Sequence, residues 1–266
     1  MGLPNKLAAH LLVTTCAIVG ASSAHAGYST FFGEDPNNSS IKPLATTPNA
    51  DGARSSFLSE LKSPGTETFE GLNVGTGAPL TISFPGSNGN LSATLTGSTG
   101  VVASVTPGYT NGSGRYSVPS PSTSKFWEVG AGASGDPTTF TVTFGQSVAA
   151  FGFYGIDIGD FGGQLQLVLS TGKTLTVPNT QGSEGSTDGS VLFFGFIADR
   201  TEDEFKSIRF QMSYRDGGED VFAFDNFTIA DRGQVTPPTV PEPGTLALMA
   251  SALLALGLTT RLRRRA

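Results

Sequence analysis

Over much of this chain apolar side chains return at every second position, and that period decides the fold class before any other feature is weighed. Within residues 138–144, Phe140, Val142 and Phe144 share one face and threonines take the other. Leu165, Leu167 and Leu169 repeat the pattern, as do Ile208, Phe210 and Met212, and Phe151 with Phe153 forms a shorter version. Successive side chains of a strand point to opposite sides of a sheet, so a half-buried antiparallel strand alternates in this way. Further strands are expected at 80–84, 91–95, 101–105, 126–129, 173–177, 191–196 and 221–229. About ten short strands separated by turns predict an all-β antiparallel sandwich or jelly roll. Gly at 35 positions and only 14 % charged residues agree with strands and turns rather than helices.

This sandwich is expected to occupy residues 64–232. Residues 27–63 are polar and turn-rich, and read as a lead segment that packs loosely on it. Their one helical hint is at 56–61, where Phe57, Leu58 and Leu61 fall on one face. The Ser/Gly-rich stretches 111–124 and 181–190 read as long exposed loops, and residues 233–240 as an extended Pro-rich stalk. Phe151-Gly152-Phe153 and Phe194-Gly195-Phe196 echo each other, although no true repeat emerges.

The two ends read as addresses. Residues 1–26 have the form of a secretory signal peptide, with Lys6, an apolar stretch from Leu7 to Gly20, and small residues Ala24 and Ala26 flanking His25 at a cleavage site. Cys16 lies inside this leader and lacks the small residues before it that a lipidated cysteine needs. At the other end Pro241, Glu242 and Pro243 precede an apolar run from Thr245 to Thr260, and then Arg261, Arg263, Arg264 and Arg265. Prolines hold the chain extended. The run approaches the roughly 17 residues of a minimal membrane span, and the arginines keep their end in the cytoplasm. The expected layout is therefore a β domain outside the inner membrane, between a leader and a transmembrane sorting helix.

In the order triplet, short helix, Arg cluster, residues 241–266 resemble the PEP-CTERM sorting signal of Gram-negative exported proteins. The resemblance implies processing by exosortase, inner-membrane anchoring before cleavage, and release to the cell surface or extracellular matrix, in company with exopolysaccharide and biofilm. Residues 66–230 are also similar to a β-sandwich of such proteins, through the stretches 68–72, 150–153 and 222–227.

Composition narrows the chemistry further. Lys6, the four terminal arginines and Glu242 belong to the ends. Removing them from 16 basic and 22 acidic residues leaves 11 against 21, a net charge of about -10 for residues 27–240. Such a surface repels phosphate backbones, so nucleic acid is not an expected partner. Both histidines, His10 and His25, lie in the leader. Without them or Cys16 the mature chain cannot build a Ser-His-Asp triad, a Cys nucleophile or a His-ligated zinc. A pair of carboxylates would still suffice for a glycosidase or lyase, with Asp157, Asp160, Asp199 and Glu219 as candidates, but none sits in a catalytic frame.

Asp225 is in register with Phe227 and Ile229, so in an unbroken strand it would face their apolar side. An unpaired carboxylate there needs a cation, hydrogen bonds or a bulge. Glu70 is read in the first strand of the sandwich. The arrangement resembles jelly-roll carbohydrate-binding modules, where acids of the first and last strands meet at a structural Ca²⁺, and this implies Glu70 and Asp225 as ligands. The other reading has Asp225 bound to a backbone amide or turn and Glu70 facing solvent. The Gly-rich acidic turn 216–220 is a second possible source of ligands. Trp127 and Tyr154 are candidate sugar-stacking platforms, with Trp127 also read as core, and Tyr109 and Tyr116, near Arg115, are candidates on the surface. The expectation is a non-enzymatic surface or matrix protein that binds exopolysaccharide. The alternatives are a purely structural or adhesive module and a carboxylate glycosidase or lyase.

Overall fold

The computed structural model describes residues 27–97, 99–119, 122–130, 138–159, 162–182, 187–212 and 221–236. Residues 1–26, where a leader is expected, the apolar C-terminal run, the turn 216–220 and Asp160 lie outside them. No helix among the described residues is long and apolar enough to cross a membrane.

In chain order the elements are β1 (Tyr28–Asp35), α1 (Pro48–Ser59), β2 (Gly65–Glu67), β3 (Leu80–Gly86), β4 (Gly89–Thr96), β5 (Val101–Ser104) and β6 (Lys125–Gly130). They continue with β7 (Thr138–Val148), β8 (Ala150–Ile156), β9 (Leu165–Leu169), β10 (Thr174–Thr176), β11 (Val191–Ala198), β12 (Phe205–Met212) and β13 (Val221–Ala230). Two antiparallel sheets result. One has seven strands in the order β1-β11-β8-β13-β6-β5, with β2 added on β13, and the other has six in the order β10-β9-β12-β7-β4-β3. The all-β, two-sheet architecture expected from the period of two is present.

The core between the sheets is built from the alternating residues. Phe140, Val142 and Phe144 of β7, the three leucines of β9, and Phe205, Ile208, Phe210 and Met212 of β12 meet Phe151, Phe153, Phe194, Phe196, Phe222, Phe224 and Phe227 of the other sheet. Phe140 stacks on Phe210 at 4.1 Å between ring centroids and lies 5.1 Å from Phe224 across the sheets. Fully burying one such side chain contributes about 1.5–3 kcal/mol. With many phenylalanines engaged, the chain reaches a stable core without disulfides.

The lead segment does not pack loosely. β1 is the terminal strand of the seven-stranded sheet, paired with β11 from Tyr28↔Ala198 to Asp35↔Val191. α1 begins with Pro48 at its first turn and lies over the outer face of that sheet. Asp35 fixes the start of the helix by accepting from Asn49 N at 3.2 Å and Ala50 N at 2.9 Å. Phe57 is fully buried beneath α1, against Phe31 and Phe193. The helical hint at 56–61 is realised in the last turn of α1, while polar composition hid the turns before it.

The repeated Phe-Gly-Phe triplets are explained by the same contact. Their phenylalanines point into the inter-sheet core, and Gly152 and Gly195 face each other across β8 and β11 on the opposite side. A Cβ on either glycine would come within 2.8 Å of the Phe57 ring. The two glycines form the seat of the helix.

Within the expected exposed loop, residues 111–113 and Pro119 are exposed, but residues 114–118 depart from it. They descend onto the seven-stranded sheet, where Tyr116, Ser117 and Val118 are buried, and with α1 they close its outer face. In the stretch 181–190, Thr187, Gly189 and Ser190 are buried as well. The first residues of the expected stalk are likewise held down. Gln234 is buried within a capping box on Asp231, and Thr236 N donates to Glu60 O.

Candidate functional site

Among the described residues one side of the molecule is roofed and the other is open, and the strand carboxylates all lie with the roofed sheet. The roof is held by carboxylates. Asp225 is fully buried, and its Oδ2 accepts from Ser117 Oγ at 2.8 Å and Val118 N at 2.9 Å while Oδ1 accepts from Asn226 N at 2.7 Å. Glu70 Oε1 accepts from Ser124 N at 2.8 Å and Lys125 N at 2.6 Å, and Oε2 from Ser124 Oγ at 3.1 Å. The two acids thus fasten the two ends of the segment 117–125. At its upper end, Arg115 pairs with Glu128 at 2.9 Å and with buried Asp157 at 3.3 Å.

Asp225 reaches the roof because the pairing of β13 with β8 shifts register between Asp225 and Thr228, with Asn226 in the left-handed region at φ 52°. This bulge reverses the side that Asp225 faces. It lies opposite Phe224 and Phe227 rather than among them, so both the bulge and the hydrogen bonds foreseen as ways to satisfy it are realised. Burial pushes its carboxyl up to about 8; the donors from Val118, Ser117 and Asn226 pull the other way, and the charge of Glu70 adds to the rise. Glu70 lies in the turn after β2, not in a strand.

The expected pair Glu70 and Asp225 does not fit a Ca²⁺ shell. Each of their four oxygens already accepts from an N–H or O–H donor. The Lys125 ammonium lies 2.8 Å from Glu70 O and 2.6 Å from Leu72 O. A Ca²⁺ shell takes six to eight oxygens, and these two carboxylates are met by N–H and O–H donors, with an ammonium on the Glu70 carbonyl, rather than by further ligand oxygens. Among the described residues, no group of three or more His, Cys, Asp or Glu is placed to hold a metal.

The other candidates are dispersed. Trp127 is fully buried, stacked 6.2 Å from Phe69. Tyr154 is buried, and its hydroxyl donates to Asp51. Neither offers a face to a sugar. Tyr116 is buried too; its hydroxyl, pushed up to about 12 by burial, donates to Gly189 O at 2.9 Å and accepts from Leu44 N at 3.1 Å. Tyr109 alone of the four is exposed. Asp157 is committed to Arg115 and to Gly189 N at 3.0 Å, and Asp199 to Ser29 N and Oγ. The structure brings no two of the catalytic candidates together among the described residues. Asp160 and Glu219 fall outside them.

The open side is the outer face of the six-stranded sheet. Cross-strand registers line up Thr81, Thr94, Thr143 and Ser207 in one row. A second row runs Thr96, Thr141, Arg209, Val168 and Thr174, and a third pairs Gln211, Gln166 and Thr176. Thr81 and Thr94 share a hydroxyl hydrogen bond at 3.0 Å. None of the six strands contains an acid, and their bases are Lys206 and Arg209. All the strand carboxylates (Glu34, Asp35, Glu67, Glu128 and Asp225) belong to the seven-stranded sheet. Threonine alternation was visible in the sequence, but the alignment of hydroxyl rows beside Arg209 needs the strand order, which it does not specify. A separate groove of about 520 Å³ lies at the β1 edge, lined by Ser29, Phe31, Glu60, Asp199, Arg232 and Val235 among others.

No curated protein matches the chain. The K2 cleaved adhesin domain of Lys-gingipain is a solved structure with some likeness to it, at 14 % identity and a TM-score of 0.33, over 63 % of this chain and 97 % of that one. Residues 239–265 match the PEP-CTERM protein-sorting motif, which takes in Pro241, Glu242, Pro243 and the four terminal arginines. The chain therefore carries a PEP-CTERM protein-sorting motif at residues 239–265, a signal that points to export and processing by exosortase.

Proposed function

We propose that the β domain works, after export and release by exosortase, as a non-enzymatic surface or matrix module whose uncovered sheet face meets polysaccharide. The observation that carries this reading is the asymmetry of the two sheets. The seven-stranded sheet is covered on both faces, whereas the six-stranded sheet leaves rows of Thr, Ser and Gln side chains open. Hydroxyl and amide groups of this kind exchange hydrogen bonds with sugar hydroxyls at little desolvation cost, directly or through water. A glycan array probed with the full chain tests the reading. The expected result is binding to at least one extended polysaccharide with no release of reducing ends, and hydrolysis of the bound glycan would overturn the non-enzymatic part.

A purely structural or adhesive module is the second reading. It is favoured by the scarcity of stacking platforms, since Phe32 and Tyr109 are the exposed aromatics among the described residues. A blank array would leave this reading in place.

A further inference from the structure

We infer that the open face of the six-stranded sheet takes a uronate-bearing, hence anionic, polysaccharide, with Arg209 and Lys206 as its charge contacts. The inference rests on the proposed role in meeting polysaccharide and names the class of polymer.

Charge carries the argument. The domain is acidic overall, so a polyanion is repelled by most of it. The six-stranded sheet is the exception, with no carboxylate in its strands. Lys206 and Arg209 are exposed in β12, an inner strand of that sheet, and neither forms an ion pair with a described residue. The irregular pairing between Phe205 and Ser207 leaves Lys206 on the outer side while Phe205 and Ile208 stay in the core. Lys173, in the turn before β10, adds a third exposed cation at the margin.

Arg209 stands between Thr141 and Val168 in the longest row, so a carboxylate held in its planar fork would have hydroxyl neighbours along the same line. Lys206 lies three residues along the strand, about 10 Å away. Two cations spread among many neutral donors and acceptors suit a polymer with sparse charges and abundant hydroxyls. They suit neither a densely sulfated chain nor a nucleic acid. A second copy of this face would bring cation against cation, which disfavours self-stacking.

The test uses the protein as its native host exports it, as wild type and as Lys206→Glu/Arg209→Glu, with binding measured to immobilised alginate, dextran and vesicles containing phosphatidylglycerol. Wild type should bind alginate, less so as salt rises past about 0.15 M, where the screening length is about 8 Å. The double variant should lose about tenfold or more in affinity, because two attractive contacts become repulsive. Thr94→Val/Thr143→Val should weaken binding with the charges intact, and Lys62→Glu, an exposed cation outside this face, should leave it unchanged. Melting curves establish that each variant is folded. Unchanged alginate affinity in the double variant would remove the binding face named here but leave a polysaccharide-binding protein. Dextran bound as well as alginate would remove only the anionic class. Binding to the vesicles in place of alginate, or to none of the three, would overturn the polysaccharide reading itself.

Discussion

At Asp225 a fully buried carboxyl fastens one end of the roof over the seven-stranded sheet, and its ionisation is coupled to folding. Its folded value of about 8 lies above the ordinary 3.8 of an exposed Asp. Below the lower value both states hold the proton and the contribution to stability is complete. As pH rises from about 4 through 8, the unfolded chain ionises more readily, and that contribution is progressively lost. The melting temperature of the wild type should therefore fall across this window relative to that of Asp225→Asn, which cannot ionise. A constant gap between the two curves from pH 5 to 9 would show that the carboxyl does not titrate there. The Asn variant should also begin less stable by about 1–3 kcal/mol, because its amide nitrogen presents a donor where Ser117, Val118 and Asn226 already donate.

Among the elements, α1 and the two glycines below it are where close packing is most exacting. Gly152→Ala or Gly195→Ala should each destabilise by about 1–3 kcal/mol through overpacking against Phe57. In urea unfolding, adding Phe57→Ala to either should cost less than the sum of the separate changes, because the methyl would fill part of the space vacated by the ring. Strict additivity would refute the seat. This also marks how far the sequence could be read. The strands of the core were legible because Phe140, Val142, Phe144 and their counterparts obey a period of two that local chemistry enforces. The helix was legible only at its C-terminal end, where Phe57, Leu58 and Leu61 share a face; its first two turns were not, since Phe57 is its one large fully buried residue and its partners lie far along the chain. Asp225 was half legible: its parity raised the right question, but a bulge at Asn226 follows from tertiary packing. The registers that collect Arg209 among threonines are long-range, and pattern within one strand does not encode them.

For the whole molecule, the sorting motif at 239–265 begins three residues after Thr236, where the described fold ends. If exosortase acts at this signal, protein recovered from the surface or medium of the native host should lack the residues beyond the Pro241-Glu242-Pro243 region. Intact mass measures this directly, and retention of Arg265 on released protein would argue against cleavage. The domain that remains closes on its own terms. Asp231 takes Ser87 N at 2.8 Å, Gln234 reaches Ser63 O at 2.8 Å, and Val235 pairs with Leu61, so its last residues are fastened to the segment before β2 and to the β3–β4 turn.

That fastening has a mechanical consequence. Behind it, through the single 3-10 turn Arg232–Gln234, the chain leads into β13, an inner strand bonded to β8 on one side and to β6 and β2 on the other. Tension applied past Thr236 first peels the short pairing at Leu61 and then bears on β13 along its own length. The hydrogen bonds on both flanks then carry the load in parallel, as in shear, rather than opening one after another like a zip. A module tugged by its tail in flowing liquid is thus gripped by the middle of its sheet instead of by an edge.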